Sequence, residues 1–240
     1  MADQSVRRRI GQAVNKQGSI TGISTDVDLI LLIDGTGSMQ NLLDEVKARA
    51  LSLRDDIVAG LAEKNRKVSK MRVKVIVFRD VYVDTNAFVA SEWFFLPEDA
   101  GDFRAFVEGI RAEGGGDEPE SGMEALRMAM QEFGSMQGKG RQIIVMMTDA
   151  SAHRLDDPQR AGDPAYPDWM SDCRNVEELQ NAWEGLNVHY RRLVIMAPQA
   201  YPWTTIQTWA PVQYQASRAR QGIDREGFEA VIKLISGSIA

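Results

Sequence analysis

The run VDLILLID, residues 27–34, is apolar at almost every position and stops abruptly at an acid, followed by GTGSMQ. A strand with one wet face would alternate apolar and polar residues. A run of this length without alternation predicts a central parallel strand, here 28–34, covered by helices on both sides. A chain with such a strand must supply two further layers to cover it.

The rest of the sequence supplies them. From Ser38 to about Lys64, Leu42, Leu43, Val46, Ala50, Leu53, Ile57 and Leu61 recur at helical spacing, predicting one long amphipathic helix. MRVKVIVFRD reads as a second strand, SEWFFLP as a short edge strand and EDAGDFRAFVEGIRAEG as a helix. ESGMEALRMAMQEFG then reads as a helix, and RQIIVMMTD as another buried strand ending in an acid. Further on, a helix is expected at 173–186, a strand in VHYRRLVIMA, a helix near 203–210, a strand in VQYQAS and a closing helix from Asp224 to Ile235. Strands alternating with helices predict an α/β fold. The expected architecture is a doubly wound, Rossmann-like, mainly parallel six-stranded sheet with helices on both faces and one short antiparallel edge strand. Residues 1–27 read as an N-terminal arm or helix and 28–240 as one domain, with a loop insertion at about 150–172 where Pro, Gly and Asp crowd without a steady period.

Composition narrows the function. The formal charge of −6 gives no field to draw the surface toward phosphate backbones or anionic lipid, so neither nucleic acid nor membrane is an expected partner. Cys173 is the single cysteine, which rules out an intramolecular disulfide and a cysteine-built zinc site and suits a reducing compartment. The amino-terminal segment carries arginines without the apolar stretch of a secretory signal, and no run reaches the ~18 apolar residues of a membrane span. A cytoplasmic location is the expectation.

Oxygen-bearing side chains gather where such a sheet binds ligands, outside the carboxyl ends of its strands. Asp34, Thr36 and Ser38 are spaced by two after the first strand, with Gly35 and Gly37 permitting a tight path. GGGDEP supplies Asp117, and a later strand ends in Thr148 and Asp149. Carboxylates and hydroxyls without histidine or thiolate select a hard cation: Mg²⁺, with Mn²⁺ or Ca²⁺ also possible. The competing reading of Thr36 and Ser38 is helix capping without metal.

DGTGS resembles the D-x-[ST]-x-S motif of von Willebrand factor A-type (vWA) domains, the metal-ion-dependent adhesion site (MIDAS), and MMTDASAH resembles that motif's later aspartate. The likeness covers roughly 28–235; VIVFRD and GGGDEPES further resemble intracellular vWA domains, including those attached to atypical α-kinases. It implies that Thr36 and Ser38 ligate through their hydroxyls, while Asp34 and Asp149 act directly or through water. Asp117 stands where the family places a threonine. The extra carboxylate would strengthen cation binding and weaken attraction for an acidic partner side chain, which in many members completes the metal shell. The implied function is a non-enzymatic, divalent-metal-binding interaction module in an intracellular complex. A kinase, phosphatase or AAA+ ATPase of the same pathway is the partner the resemblance suggests.

The rival is a Mg²⁺-dependent phosphohydrolase using Asp34 as nucleophile, because LLIDGTGS superficially resembles haloacid dehalogenase-type phosphatases. Thr36 stands where those enzymes carry a general-acid aspartate. Around the site, Arg79 and Asp80 read as a structural ion pair, Glu118 and Glu120 as acids of a helix's first turn, and His153 as a loop-ordering residue. Tyr166, Trp169 and Met170 read equally as partner anchors or as a lid folded over the sheet edge.

Overall fold

The computed structural model describes residues 23–62, 64, 66–115, 118–134, 140–158, 160, 163–164 and 166–239. Among them seven strands form one sheet: β1 (Ile23–Asp34), β2 (Arg66–Phe78), β3 (Phe88–Ala90), β4 (Phe94–Leu96), β5 (Arg141–Met147), β6 (Arg191–Ala197) and β7 (Val212–Ala216). The order is β3-β2-β1-β5-β6-β7, with β4 also paired to β2. Pairings among β2, β1, β5, β6 and β7 are all parallel, whereas β3 and β4 run antiparallel to β2. The doubly wound α/β class is therefore as expected. The strand count is seven rather than six because the edge carries two short antiparallel strands where the sequence suggested one. β1 also begins five residues earlier than the expected strand 28–34, at Ile23.

Along β1 the side chains divide between two cores. Leu29, Leu31 and Ile33 enter one, and Ile30 and Leu32 enter the other. The same split holds in β5, with Ile143, Val145 and Met147 on one face and Ile144 and Met146 on the other. This is why these strands lack alternation: a period of two places successive residues on opposite faces, and both faces are covered.

The first face is covered by α1 (Gln40–Arg49), α2 (Leu53–Ala62), α3 (Ala100–Gly109) and α7 (Arg225–Ile239). The second is covered by α4 (Gly122–Gly134), α5 (Val176–Gly185) and the short α6 (Trp203–Ile206), with Leu155, Met170 and Cys173 from the long loop. The long helix expected over 38–64 is broken between Arg49 and Leu53. Ser52 donates its hydroxyl to the Arg49 carbonyl and to Asp56, competing with the helical ladder at the break. Within the loop at 150–172, Met170 is buried and Tyr166 and Trp169 pack against the second core, Trp169 meeting Phe88 edge to face. The aromatic cluster folds down onto the second core, with Tyr166 and Trp169 half-buried.

From β1 the chain turns to β2 on one side, and β5 then pairs on the other. The order therefore reverses between β1 and β5, whose carboxyl ends carry Asp34 and the Thr148–Asp149 pair.

Candidate functional site

Asp34 is fully buried at the end of β1. Its Oδ1 accepts the Thr36 backbone N–H at 3.0 Å and the Thr36 hydroxyl at 2.6 Å, and its Oδ2 accepts the Thr148 hydroxyl at 2.6 Å. Burial raises its pKa to about 6, opposed by these hydrogen bonds and helped by the nearby charge of Asp149. Ser38 donates to Asp149 Oδ1 at 2.9 Å, and the Gly222 N–H donates to Asp149 Oδ2 at 2.7 Å. The hydroxyl oxygens of Thr36 and Ser38 lie 3.4 Å apart. Four of the five residues singled out in the sequence thus converge. The fifth, Asp117, lies outside the described residues.

The capping reading fails here on geometry. Thr36 precedes the 3₁₀ turn Gly37–Met39 and Met39 precedes α1, and neither makes a side-chain capping bond; the hydroxyls are directed to carboxylates instead. The acids are not a bare repelling cluster, because each carboxylate is hydrogen-bonded. Among the described residues no three His, Cys, Asp or Glu side chains converge to hold a metal by themselves. The converging set is two carboxylates and three hydroxyls.

These groups open on a cavity of about 170 Å³ lined by Thr36, Ser38, Glu118, Glu120, Asp149 and Arg220, with Gly115 and Ala150. Gly115 has φ +71°, and a Cβ there would lie 2.6 Å from the Thr36 Cβ, so only glycine lets this loop approach. Glu118 and Glu120 are not first-turn residues. Helix α4 begins at Gly122, and both acids sit in the preceding loop against the cavity wall. That loop is tied to the strand-end loop of β5 by Glu120 N–H to Ser151 O and His153 N–H to Glu120 O, each at 3.0 Å. Because the donors are all oxygen and the hydroxyl protons go to the carboxylates, Thr36 and Ser38 keep lone pairs for a small hard cation. The residues present fit such a group.

Arg79 does not pair with Asp80. Its buried guanidinium donates to four carbonyls: Gly35 at 3.2 Å, Glu113 at 2.9 Å, Asn86 at 3.2 Å and Arg111 at 2.8 Å. It thereby joins the Asp34 loop to the loop preceding α4. Asp80 instead accepts from the Tyr82 N–H and lies 3.0 Å from His153 Nε2, so His153 orders the loops as expected. Sequence reasoning missed two contributors, Arg220 and Gly222. Both lie beyond β7, distant in sequence from every motif; Gly222, with φ +68°, offered only a glycine in a polar stretch as a signal.

A family model described as von Willebrand factor A domain matches residues 28–160, more than half of the chain. An ariadne-like RING finger protein of Acanthamoeba polyphaga mimivirus is 28% identical over 127 residues, 53% of this chain and 11% of that protein. Among solved structures, the pilus adhesin SpaC from Lactobacillus rhamnosus GG aligns with 90% of this chain and 30% of its own at a TM-score of 0.58 and 12% identity. A von Willebrand factor type A protein from Catenulispora acidiphila aligns with 90% of this chain and 43% of its own at a TM-score of 0.51 and 12% identity. The chain therefore spans only a small part of the curated relative and less than half of these structural neighbours, and at this identity the neighbours bear on the fold alone. With the doubly wound sheet and a family match that contains Asp34, Thr36, Ser38 and Asp149, the chain belongs to the von Willebrand factor A domain family.

Proposed function

We propose that this domain is a protein-interaction module whose docking edge is organised by one divalent cation, Mg²⁺ or alternatively Mn²⁺ or Ca²⁺. Thr36 and Ser38 would hold the ion through their hydroxyls, Asp149 would act directly or through water, the buried Asp34 would act through water and through the Thr36 hydroxyl it orients, and Asp117 would contribute a further carboxylate. The observation that carries this reading is the pairing of the Thr36 hydroxyl with Asp34 and the Ser38 hydroxyl with Asp149, beside one cavity. When bound, the cation would offer an open coordination position to a partner's oxygen. The chain's own part is to fix the hydroxyls and to spread the charge of the ion onto hydrogen-bonded carboxylates.

The module is taken to act without chemistry of its own, in an intracellular complex; a kinase, phosphatase or AAA+ ATPase is the partner class suggested by the resemblance to intracellular vWA domains. The completely buried Cys173, whose thiol burial pushes up to about 11, is inert packing and fits a reducing compartment. Among the described residues no helix is long and apolar enough to cross a membrane.

Calorimetric titration of metal-stripped protein with Mg²⁺ and Mn²⁺ tests the proposal. One-site binding is expected, weakened at least tenfold in Ser38→Ala and Asp117→Ala, since each would remove a ligand oxygen. Unchanged affinity in Ser38→Ala would overturn the assignment. The phosphohydrolase alternative requires an accessible Asp34, yet that carboxylate is fully buried, hydrogen-bonded at both oxygens and absent from the cavity lining. Asp34-dependent turnover of a small aryl phosphate with Mg²⁺ would restore it.

A further inference from the structure

Arg220 is the described non-glycine residue with positive φ, at +58°. A side chain in the left-handed region is strained, and such strain persists where surrounding contacts over-determine it. Those contacts are at the candidate site: the Arg220 N–H donates to the Asp149 carbonyl at 3.0 Å, and two residues on the Gly222 N–H donates to the Asp149 carboxylate. Ser217 further pins the segment by donating its hydroxyl to the Thr148 carbonyl. The backbone is thus stitched to the end of β5, and the strained position delivers the Arg220 side chain to the cavity wall.

The guanidinium is the cationic side chain in a lining that otherwise carries Glu118, Glu120 and Asp149. Among the described residues its side chain makes one ion-pair contact, Nε to Glu118 Oε1 at 3.3 Å, with 69% of the Arg220 side chain exposed. Glu118 has a second partner, the Ser151 hydroxyl at 3.2 Å on Oε2, so it keeps a hydrogen bond if the arginine leaves. An exposed single-contact ion pair exchanges partners at little cost, and a guanidinium offers paired N–H donors matched to a planar carboxylate.

From this geometry we infer that Arg220 is the residue that selects the site's ligand, giving a carboxylate donors at the cavity mouth where the acidic lining would otherwise repel it. The inference rests on the cation-binding reading above. A planar carboxylate is favoured over phosphate on shape: one guanidinium matches its two oxygens, while the further oxygens of a tetrahedral phosphate would face Glu118, Glu120 and Asp149. Arg220 therefore acts in opposite directions on the two ligands: it opposes the cation and favours the anion.

The test uses the full chain loaded with Mn²⁺, with acetate and inorganic phosphate as probes and water-proton relaxation reporting displacement of water from the ion. Arg220→Gly removes the guanidinium and relieves the backbone, so folding is not at risk. Arg220→Lys keeps the charge without the planar fork. The expected result is Mn²⁺ binding about threefold tighter in Arg220→Gly, with acetate weakened about tenfold, the loss of one charge-assisted pair, and an intermediate acetate affinity in Arg220→Lys. Unchanged acetate affinity in Arg220→Gly with Mn²⁺ still bound would overturn the role of Arg220 and leave the cation site standing. Phosphate displacing water at lower concentration than acetate would overturn the carboxylate assignment. Failure of every form to bind Mn²⁺ would overturn both readings.

Discussion

Glu124 sits in the first turn of α4, 1% exposed, with Oε1 accepting the Tyr166 hydroxyl at 2.6 Å and Oε2 buried without a hydrogen-bond partner. Burial raises its pKa above the ordinary 4.5, against the opposing pull of the Tyr166 hydrogen bond and the charges of His153 and Arg160. The folded state therefore holds this proton more tightly than the unfolded chain does. The stability it contributes is complete below about pH 4.5 and is lost as pH rises through the raised folded-state value. Glu124→Gln keeps an acceptor for Tyr166 and removes the charge, so the variant should gain steadily on the parent in urea denaturation as pH rises above about 4.5. A gap that does not change with pH would exclude Glu124 as the source. Gly115→Ala is the matching steric test. Its Cβ would strike Thr36 at a backbone conformation few L-residues adopt, so destabilisation of about 1–3 kcal/mol is expected, together with weakened cation binding by calorimetry.

At the scale of elements, the loops matter as much as the strands that carry them. Arg79 makes one unit of the Asp34 loop and the 110–115 segment, because its fork reaches carbonyls on both. A lysine ammonium cannot reproduce that span. Arg79→Lys should cost about 2–4 kcal/mol and speed amide exchange at 34–38 and 110–115 more than in β5. The elements also show what could be read from sequence and what could not. β1 and β5 were legible because unbroken apolar runs have one explanation in a two-sided sheet. The break near Ser52 was not, since Leu53, Ile57 and Leu61 keep the helical period across it and the interruption depends on one hydroxyl choosing a backbone carbonyl. The pairing of Arg79 was misread for a similar reason: adjacency to Asp80 suggests an ion pair, while the carbonyls it binds come from other segments.

For the whole molecule, the oxygen fan Asp34-Thr36-Ser38 was visible as a local motif, and Asp149 followed from the strand pattern. Arg220 and Gly222 were invisible because they reach the site only through the crossover that sets β7 beside β6. A cation bound to the folded form alone should stabilise every element together. At a hundredfold excess over Kd, the gain is about 2.7 kcal/mol, a rise in Tm on the order of 5 °C in a chain of this size. Ser38→Ala should cut that rise by about half or more in a thermal melt with and without Mn²⁺, whereas an equal rise in the variant would place the ion elsewhere.

The hydrogen bond from Gly222 to Asp149 also has a consequence for synthesis. A nascent chain that has exposed Asp34, Thr36, Ser38 and even Asp149 outside the ribosome still lacks the segment that finishes the site. Competence to dock would then arrive only once residue 222 has emerged, well after the motifs that carry the site's oxygens, which keeps partly made chains from occupying the partner.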